Sequence, residues 1–383
     1  MTATPIFSKG LEGIIVAESR LSKVDGQAGR LTYCGYDIAD LAAHASFEEV
    51  AHLLWNLRLP TAAELAELKK NLNARMALPP DLLAQMKLYP RTAHPMAVLR
   101  TAVSASGLYD PLAEDNSPEA NRQKALTITA RIPTILAAWM RIRTGQEPLP
   151  PLTGDVRLAE NFLYMATGQT PDPTAVEAVD RYMILLADHE MNASTFTSRA
   201  VTSTNSDMYS AVTAAIGSLK GPLHGGAIEA AMKMFLEIQD SGLTLQDWFQ
   251  QVRAGSRRIM GIGHRIYKTE DPRARILREY ARTLAEKTGH SHIYEIAYEL
   301  EQIARSDPYF VERNLYPNVD YYSGLALYVV GIPVDMLTTM FAMSRVVGWT
   351  AHIMEQAADN RLMRPKAQYV GEMGLTYTPI EQR

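Results

Sequence analysis

The chain has 383 residues, of which 47% are hydrophobic and 21% charged, and its formal net charge is −4. Its length suits two domains of roughly 100–200 residues each. A weakly acidic chain has no overall field that would hold nucleic acid or an anionic membrane, so we expect neither partner, and any anion site must be local.

Two features predict the compartment. Cys34 is the only cysteine, so no intrachain disulfide can form, which is typical of a reducing cytoplasm. The start, MTATPIFSKGLEG, has no apolar core behind a basic region and therefore does not resemble a signal peptide. We expect a cytoplasmic protein.

Helix-start signals recur along the chain. Ser46 and Glu49 have the spacing of a capping box, in which each side chain satisfies a free backbone N–H, and apolar residues at helical spacing follow. Similar starts are predicted at Thr61–Glu64, Thr174–Glu177 and Thr244–Asp247. Alternating strand patterns are few, with a possible hairpin between Ile14 and Tyr33. The sequence therefore predicts an all-α fold with more than a dozen helices.

One apolar stretch is long enough to be considered as a membrane-spanning helix. Between Gly324 and Met343 the only charged residue is Asp335, and about 20 apolar residues can span a bilayer. However, Gly331 and Pro333 interrupt the run. This favours a helix buried inside a large protein over a membrane span.

Two polar segments precede the middle of the chain. Asp188–Thr195 is predicted on the helix that starts near Thr174, where its polar density suggests a helix entering a polar cavity; a solvent-exposed helix end is the alternative. Gly221–Gly226 places His224 between glycines, which let a backbone approach a ligand closely. An incidental histidine in a turn is the alternative there.

A basic segment follows. From Arg253 to Arg278 there are eight Lys and Arg but only two acidic residues. Within it, two glycines precede His264 and could offer backbone N–H groups to an anion or a purine edge. Arg273, fixed just after a proline, is predicted to bind an anion, because guanidinium forks match carboxylates and phosphates. For Arg275 and Arg278 we favour a solvated helix face.

Two further patterns lie near the C-terminal end. Asp320 stands among tyrosines in YPNVDYYSG, where partial desolvation would raise its pKa and strengthen it as a base; an ordinary turn aspartate is the alternative. The helix predicted after Pro333 has two distinct faces. One carries Met336, Met340, Met343 and Val347, and the other Arg345, Trp349, His352 and Gln356.

Together these segments resemble the citrate synthase family over nearly the whole chain. The motifs GPLHGGA, GIGHRIYKTEDPRA, YPNVDYYSG and NRLMRPKAQYVG are similar to that family's motifs and stand in the expected order. The N-terminal Gly-Leu-Glu-Gly and the segment starting at Tyr33 resemble the short bacterial and archaeal form. The resemblance implies an acyltransferase that condenses acetyl-CoA with oxaloacetate and hydrolyses citryl-CoA to citrate.

The resemblance also implies roles for individual residues. Asp320 would remove a proton from the acetyl methyl group, His224 would donate a hydrogen bond to the thioester oxygen, and His264 would polarise the oxaloacetate carbonyl. The residues that would hold oxaloacetate are His189, Arg273, Arg345 and Arg364, the last from the partner subunit of a homodimer. The residues that would contact CoA are Ile259, Gly261, Gly263, Lys268 and Asn318. No metal and no cofactor would be needed, since acetyl-CoA is itself a substrate.

The same resemblance implies a domain division. Residues 221–324 would form a small helical domain with the catalytic His and Asp residues. Residues 1–220 and 325–383 would form a large helical domain with the oxaloacetate arginines and the dimer interface. The active site would lie in the cleft between them, which would close on substrate and exclude water.

Alternative functions remain open from sequence. A 2-methylcitrate synthase would use propionyl-CoA, and one methyl group is worth only about 1–3 kcal/mol in a hydrophobic pocket. A zinc hydrolase could use His189, His224 and His264 as ligands, although the arginine excess would repel a cation. A catalytically inactive binding protein is the third alternative.

Overall fold

The computed structural model describes residues 7–255 and 257–383. These residues form seventeen α-helices and one small sheet, which confirms the all-α prediction. The helices are α1 (Ile38–His44), α2 (Phe47–Asn56), α3 (Ala62–Asn73), α4 (Pro80–Lys87), α5 (Pro95–Gly107), α6 (Pro118–Arg143), α7 (Leu158–Thr167), α8 (Pro173–Leu186), α9 (Ala193–Thr202), α10 (Met208–Leu219), α11 (Ala227–Asp240), α12 (Leu245–Ala254), α13 (Pro272–Thr288), α14 (Ser291–Ser306), α15 (Pro308–Glu312), α16 (Val319–Tyr328) and α17 (Leu337–Ala358). The signal-peptide prediction rests partly on residues 1–6, which lie outside the described range.

The sheet is antiparallel and has the strand order β1 (Ser22–Asp25), β2 (Arg30–Tyr33), β3 (Tyr36–Asp37). The first two strands form the predicted hairpin over a shorter range. Its turn packs against the loop that carries His264. A Cβ at Gly26 would clash with the carbonyl oxygen of Ile266, and the Lys268 N–H donates to the Gly26 carbonyl at 3.0 Å. The hairpin therefore supports one wall of the site.

Three of the four helix starts predicted from capping residues are confirmed. Complete capping boxes start α2 at Ser46 and α3 at Thr61, and the Thr244 hydroxyl caps α12. The prediction that Thr174 caps a helix was wrong, because α8 starts at Pro173 and its cap is Asp172, two positions before Thr174. A proline suits the first helical position, since it lacks the N–H that would need a partner there. The Asp172 carboxylate then caps the next two N–H groups.

The predicted helix through Asp188 was also wrong, because α8 ends at Leu186 and α9 starts at Ala193. The Tyr33 hydroxyl lies 2.9 Å from the Asp188 carbonyl oxygen and accepts from the Asp188 N–H at 3.1 Å. The Glu190 N–H donates to the Ser22 hydroxyl at 2.8 Å, and Glu190 has a left-handed φ of 53°. Side chains of the hairpin thus replace the helical hydrogen bonds and form a loop that carries His189.

The apolar stretch between Gly324 and Met343 is divided between α16 and α17. The division falls at Gly331, where φ is 91°, and at Pro333. Over the ranges 7–255 and 257–383, no helix is both long enough and apolar enough to cross a membrane.

Helix α17 is central to the fold and packs against α6, α8, α9 and α10. The prediction of two distinct faces on this helix was correct. The apolar face and the face with Arg345, Trp349 and His352 are both buried. Because the polar face is inside the protein, it can form the wall of a site.

Candidate active site

A cavity of about 1560 Å³ lies where the loop after α8, the turn before α11, the loop before α13 and the start of α16 meet the polar face of α17. Ten of the twelve predicted site residues line it: His189, His224, Ile259, Gly261, Gly263, His264, Arg273, Asn318, Asp320 and Arg345. Residues far apart in the sequence therefore converge on one cavity. Lys268 and Arg364 do not line the cavity in this chain.

His224 lies in the turn before α11, and its ring is held from one side. Its Nε2 accepts a hydrogen bond from the Ser194 N–H at 3.3 Å, and the Ser194 hydroxyl lies 2.9 Å from the same nitrogen. That hydroxyl in turn accepts from the Trp349 indole N–H at 3.1 Å. The Ser194 hydroxyl can also donate to Asn192 Oδ1 at 2.8 Å, so we assign the ring proton to Nδ1 from the Ser194 N–H contact with Nε2. Burial and the charge of Arg345 lower the pKa of His224 to about 4, so the ring is neutral.

His264 is held by the opposite ring nitrogen. Its Nδ1 accepts from the backbone N–H groups of Ile266 and Tyr267, both at 3.1 Å. The proton therefore belongs on Nε2. Burial, with the charge of Arg273, lowers the pKa of His264 to about 4. His264 is thus a neutral hydrogen-bond donor at physiological pH.

His189 is the most deeply buried of the three histidines, at 6% exposed. Its Nε2 lies 3.2 Å from the Tyr267 hydroxyl, and its ring meets the His264 ring edge-on at 5.5 Å between centroids. Burial and then Arg273 hold its pKa well below the usual range. Three neutral imidazoles therefore surround the cavity.

Asp320 lies in the first turn of α16, which Asn318 caps by accepting the Asp320 N–H at 2.9 Å. Its Oδ1 is buried and has no hydrogen-bond partner among the residues that the structure describes. Burial raises the pKa of the Asp320 carboxyl to about 7, although Arg273 and Arg345 oppose the rise. A buried carboxyl with an unpartnered oxygen is suited to accept a proton from a ligand.

The two buried arginines differ in their partners. Arg273 makes a bidentate ion pair with Asp271, at 3.0 and 2.8 Å. Arg345 is 1% exposed, and its Nε donates to the Leu186 carbonyl at 2.7 Å. Within the described chain no carboxylate lies within 4 Å of the Arg345 guanidinium. Burial lowers the pKa of Arg345 to about 10. The charge of Asp188 opposes this fall, but a buried cation without a direct carboxylate partner favours an anionic ligand.

Some of the residues predicted to contact CoA already make hydrogen bonds within the protein. The Gly263 N–H donates to the Tyr316 carbonyl at 2.7 Å, and the Asn318 side-chain amide donates to the Gly263 carbonyl at 2.7 Å. The expectation that both glycines offer free N–H groups was therefore wrong for Gly263. Lys268 is exposed, and its Nζ donates to the Arg265 carbonyl in the same loop at 3.5 Å. Arg364 is exposed on the C-terminal segment, where its guanidinium donates to the Pro365 carbonyl at 3.2 Å.

Sequence reasoning missed several residues at the site. Asp188 is fully buried, and its Oδ2 accepts from His352 Nε2 at 3.2 Å, while His352 Nδ1 accepts from Arg199 at 3.0 Å. The sequence feature that could have indicated Asp188 was its position next to His189. Arg258 and Arg265 line the cavity, as does the N-terminal segment 10–17. The basic segment had indicated the arginines, but nothing in the sequence indicated the N-terminal segment.

A zinc site built on the three histidines finds no support. Over residues 7–255 and 257–383, no group of three or more His, Cys, Asp or Glu side chains is arranged to hold a metal ion. One nitrogen of His264 is already occupied by two backbone N–H groups. Two buried arginines also make the cavity unfavourable for a cation.

If Asp320 acts as a base, activity should fall on the acid side of neutrality. The base must be ionised, so a pKa raised to about 7 places the loss below pH 7, whereas a normal aspartate would remain ionised to about pH 4. We expect kcat/KM to fall about tenfold per pH unit below pH 7. A kcat/KM that stays constant between pH 5.5 and 8 would contradict this role for Asp320.

Comparison with known proteins identifies a matching family model and similar sequences. The family model described as "Citrate synthase, C-terminal domain" matches residues 10–366. The chain is 47% identical to citrate synthase 2 of Bacillus subtilis (strain 168), over 100% of both chains. It is 45% identical to a citrate synthase of Haloferax volcanii, over 98% of this chain and 99% of the relative.

A solved structure is similar in fold as well. It is the ternary complex of carboxymethyl coenzyme A and oxaloacetate with citrate synthase from the archaeon Thermoplasma acidophilum. It superimposes with a TM-score of 0.93 at 37% identity and covers 99% of this chain and 100% of its own.

Proposed function

The chain belongs to the citrate synthase family and has that family's acyltransferase activity, and we propose that His224, His264 and Asp320 carry out its condensation of acetyl-CoA with oxaloacetate. The observation that supports these roles is the arrangement of donors and acceptor. His224 and His264 each use one ring nitrogen as a structural acceptor, which leaves the protonated nitrogen for a ligand. Asp320 brings an unpartnered carboxylate oxygen to the same cavity.

The proposed reaction starts at the acetyl methyl group. Asp320 takes a methyl proton, and the electron pair of the broken C–H bond moves into the thioester, whose oxygen accepts a hydrogen bond from His224 Nδ1. A thioester methyl is a very weak acid, so this donor must stabilise the developing charge. The resulting carbon nucleophile attacks the oxaloacetate carbonyl, and His264 Nε2 supplies the proton that the new alkoxide takes up. Water then cleaves the citryl thioester to give citrate and CoA.

Oxaloacetate is a dicarboxylate, and the site offers buried cations to match it. We assign one carboxylate to Arg345, whose buried guanidinium makes no direct ion pair with a carboxylate of the described residues. Arg273 and His189 line the same cavity and complete the proposed binding set. Arg273 is already paired with Asp271, so it acts on the substrate through its remaining N–H groups and its charge. None of these groups requires a metal or another cofactor.

The CoA moiety is proposed to lie along Ile259–Gly263, with Asn318 beside its pantetheine arm. The loop lines the open side of the cavity together with Arg258 and Arg265, whose charges suit phosphate groups. Lys268 lies outside the cavity lining but follows the same loop. A protein of the same fold has been solved in complex with carboxymethyl coenzyme A, which supports a CoA site in this fold.

The proposed domain division places the cavity between two bodies. Helices α11, α13, α14 and α16 pack against one another and form the small domain, residues 221–324. The remaining residues, 1–220 and 325–383, form the large domain. The boundary expected at residue 324 falls inside α16, which runs unbroken to Tyr328, so we move this end of the small domain to the turn at residues 329–333. Closure would remove water from the site and strengthen its electrostatic interactions.

A homodimer would complete the site. The C-terminal segment after α17 is extended and exposed, and it displays large apolar side chains, among them Val370 at 88% and Met373 at 82%. Exposed apolar surface of this kind marks an interaction surface. We propose that this segment, with Arg364, reaches the cavity of a second copy.

We place the enzyme in the cytoplasm, where a chain with one cysteine remains reduced.

A complementation experiment tests the partner's contribution. Arg364→Ala and Asp320→Ala proteins should each be inactive, but a mixed dimer would contain one site with both native residues. After complete subunit exchange half of the dimers are mixed, and one of their two sites is intact, so about a quarter of wild-type activity should return. Failure to recover activity after confirmed exchange would place Arg364 in its own chain's site.

The acyl preference tests the assigned function. We expect oxaloacetate-dependent release of CoA with a higher kcat/KM for acetyl-CoA than for propionyl-CoA, and citrate as the product. Turnover should persist after exhaustive chelation. A clear preference for propionyl-CoA would instead identify a 2-methylcitrate synthase, and a loss of activity restored by zinc would favour the hydrolase.

A further inference from the structure

Tyr267 lies between two histidines of the active site but has no part in the reaction described above. Its side chain is 1% exposed. Its ring centroid is 4.8 Å from that of His264 and 5.6 Å from that of His189. It is absent from the cavity lining, so it can influence a ligand only through these neighbours.

The hydroxyl of Tyr267 has one hydrogen-bond partner among the described residues, His189 Nε2 at 3.2 Å. Burial raises the pKa of this phenol far above its usual value, so the hydroxyl keeps its proton. A buried O–H without an acceptor costs about 1–3 kcal/mol. The Tyr267 hydroxyl therefore donates to His189 Nε2. Since that nitrogen accepts, the ring proton of His189 is on Nδ1.

The backbone of Tyr267 acts on the second histidine. Its N–H donates to His264 Nδ1 and so fixes the His264 proton on Nε2. The segment is anchored on its other side, where the Lys268 N–H donates to the Gly26 carbonyl of the hairpin turn. The ring consequently has a fixed place from which to orient His189.

We propose that Tyr267 is a positioning residue for oxaloacetate binding: its hydroxyl holds His189 in the Nδ1–H tautomer, with that N–H available to an anionic oxygen of the substrate. In the other tautomer a lone pair would meet the substrate oxygen and repel it. The substrate part of this proposal rests on the proposed function. The tautomer of His189 in the free protein does not.

The test is a side-chain NMR experiment on the full-length protein with ¹⁵N-labelled histidine, of which the chain contains nine. The His189 signals are assigned by their loss in His189→Gln. The native protein should show His189 as neutral with the proton on Nδ1. In Tyr267→Phe, which removes only the hydroxyl, His189 should shift toward the Nε2–H tautomer or a mixture.

Kinetics supply the second readout. If the competent tautomer of His189 falls to between a third and a tenth of the population, apparent affinity weakens by that factor. The KM for oxaloacetate in Tyr267→Phe should therefore rise about threefold to tenfold, with kcat and the KM for acetyl-CoA nearly unchanged. Tyr209→Phe is the matched control, because it also removes a buried tyrosine hydroxyl bond, to Asp110, in a residue outside the cavity lining. It should alter neither the tautomer nor the KM.

Two results would overturn the proposal: an Nε2–H tautomer of His189 in the native protein, or an unchanged tautomer in Tyr267→Phe. The first result is read from the native protein alone, so it does not depend on whether a variant folds. Neither depends on turnover, so failure of the proposed function, seen as absent condensation by the native enzyme, is distinguishable from failure of this proposal.

Discussion

Replacing Asp320 with asparagine should reduce kcat by about 10²- to 10⁴-fold, the range that general acid–base catalysis contributes. Asparagine has nearly the same shape as aspartate, but its amide cannot take up a proton from the acetyl methyl group. The substitution also keeps the start of α16 intact, because the cap depends on the Asp320 N–H rather than on its side chain. Chemistry should therefore be lost without loss of the fold.

Oxaloacetate binding separates this role from a structural one. The base is proposed to touch only the thioester, so the dissociation constant for oxaloacetate, measured by calorimetry, should change little in Asp320→Asn. Asp335→Asn is the matched control, because Asp335 is partly exposed, pairs with Arg143 on the surface and lies outside the cavity. Its turnover should equal that of the native enzyme. Substantial turnover by Asp320→Asn would exclude Asp320 as the base.

Replacing His264 with alanine should reduce kcat by about 10²- to 10³-fold, which is typical of losing one donor to a developing oxyanion. The two backbone N–H groups that now donate to its Nδ1 fix the direction of its Nε2–H. No other histidine holds this position, since the His189 and His224 rings are anchored by different partners. The other two site histidines therefore cannot replace the lost proton donor.

The carbonyl stretch of bound oxaloacetate provides a direct readout of this polarisation. Infrared difference spectra should show a lower carbonyl frequency in the native complex than in the His264→Ala complex. His44→Ala serves as the control, because His44 is an exposed surface residue that pairs with Asp40. Equal frequencies in the native and His264→Ala complexes would show that another group polarises the carbonyl.

Local features of the fold could be predicted from sequence because they depend on neighbours in the chain. The capping boxes at Ser46 and Thr61 are of this kind, since each involves residues three positions apart. The two faces of α17 follow from helical periodicity alone. The break after Leu186 could not be predicted, because it depends on Ser22 and Tyr33, more than 150 positions away in the chain.

The members of the site could be predicted from motifs, but their protonation could not. Nothing in the motif around His224 indicates that the Ser194 N–H occupies its Nε2, and this contact selects the tautomer. The raised pKa of Asp320 was predicted in direction from its aromatic neighbours. Its main cause is burial, which only the assembled fold determines.

The sequence also could not distinguish the two buried arginines by their ion-pair partners. Sequence reasoning grouped Arg273 with Arg345 as binders of oxaloacetate, and the structure distinguishes them. Arg273 has Asp271 as a partner two positions away, whereas Arg345 has no carboxylate within 4 Å in the described chain. Whether a buried cation has a counterion depends on packing between elements. That difference makes Arg345 the stronger candidate for the substrate's primary carboxylate contact.

The most direct test of the catalytic assignment is a crystal structure of this protein with oxaloacetate and carboxymethyl-CoA, in which the carboxymethyl group occupies the place of the acetyl group. We expect an Asp320 carboxylate oxygen and His224 Nδ1 within hydrogen-bond distance of the carboxymethyl end. We also expect His264 Nε2 at the oxaloacetate carbonyl and Arg345 on one of its carboxylates. A complex with the analogue bound elsewhere, or with a different carboxylate beside the carboxymethyl group, would contradict the assignment.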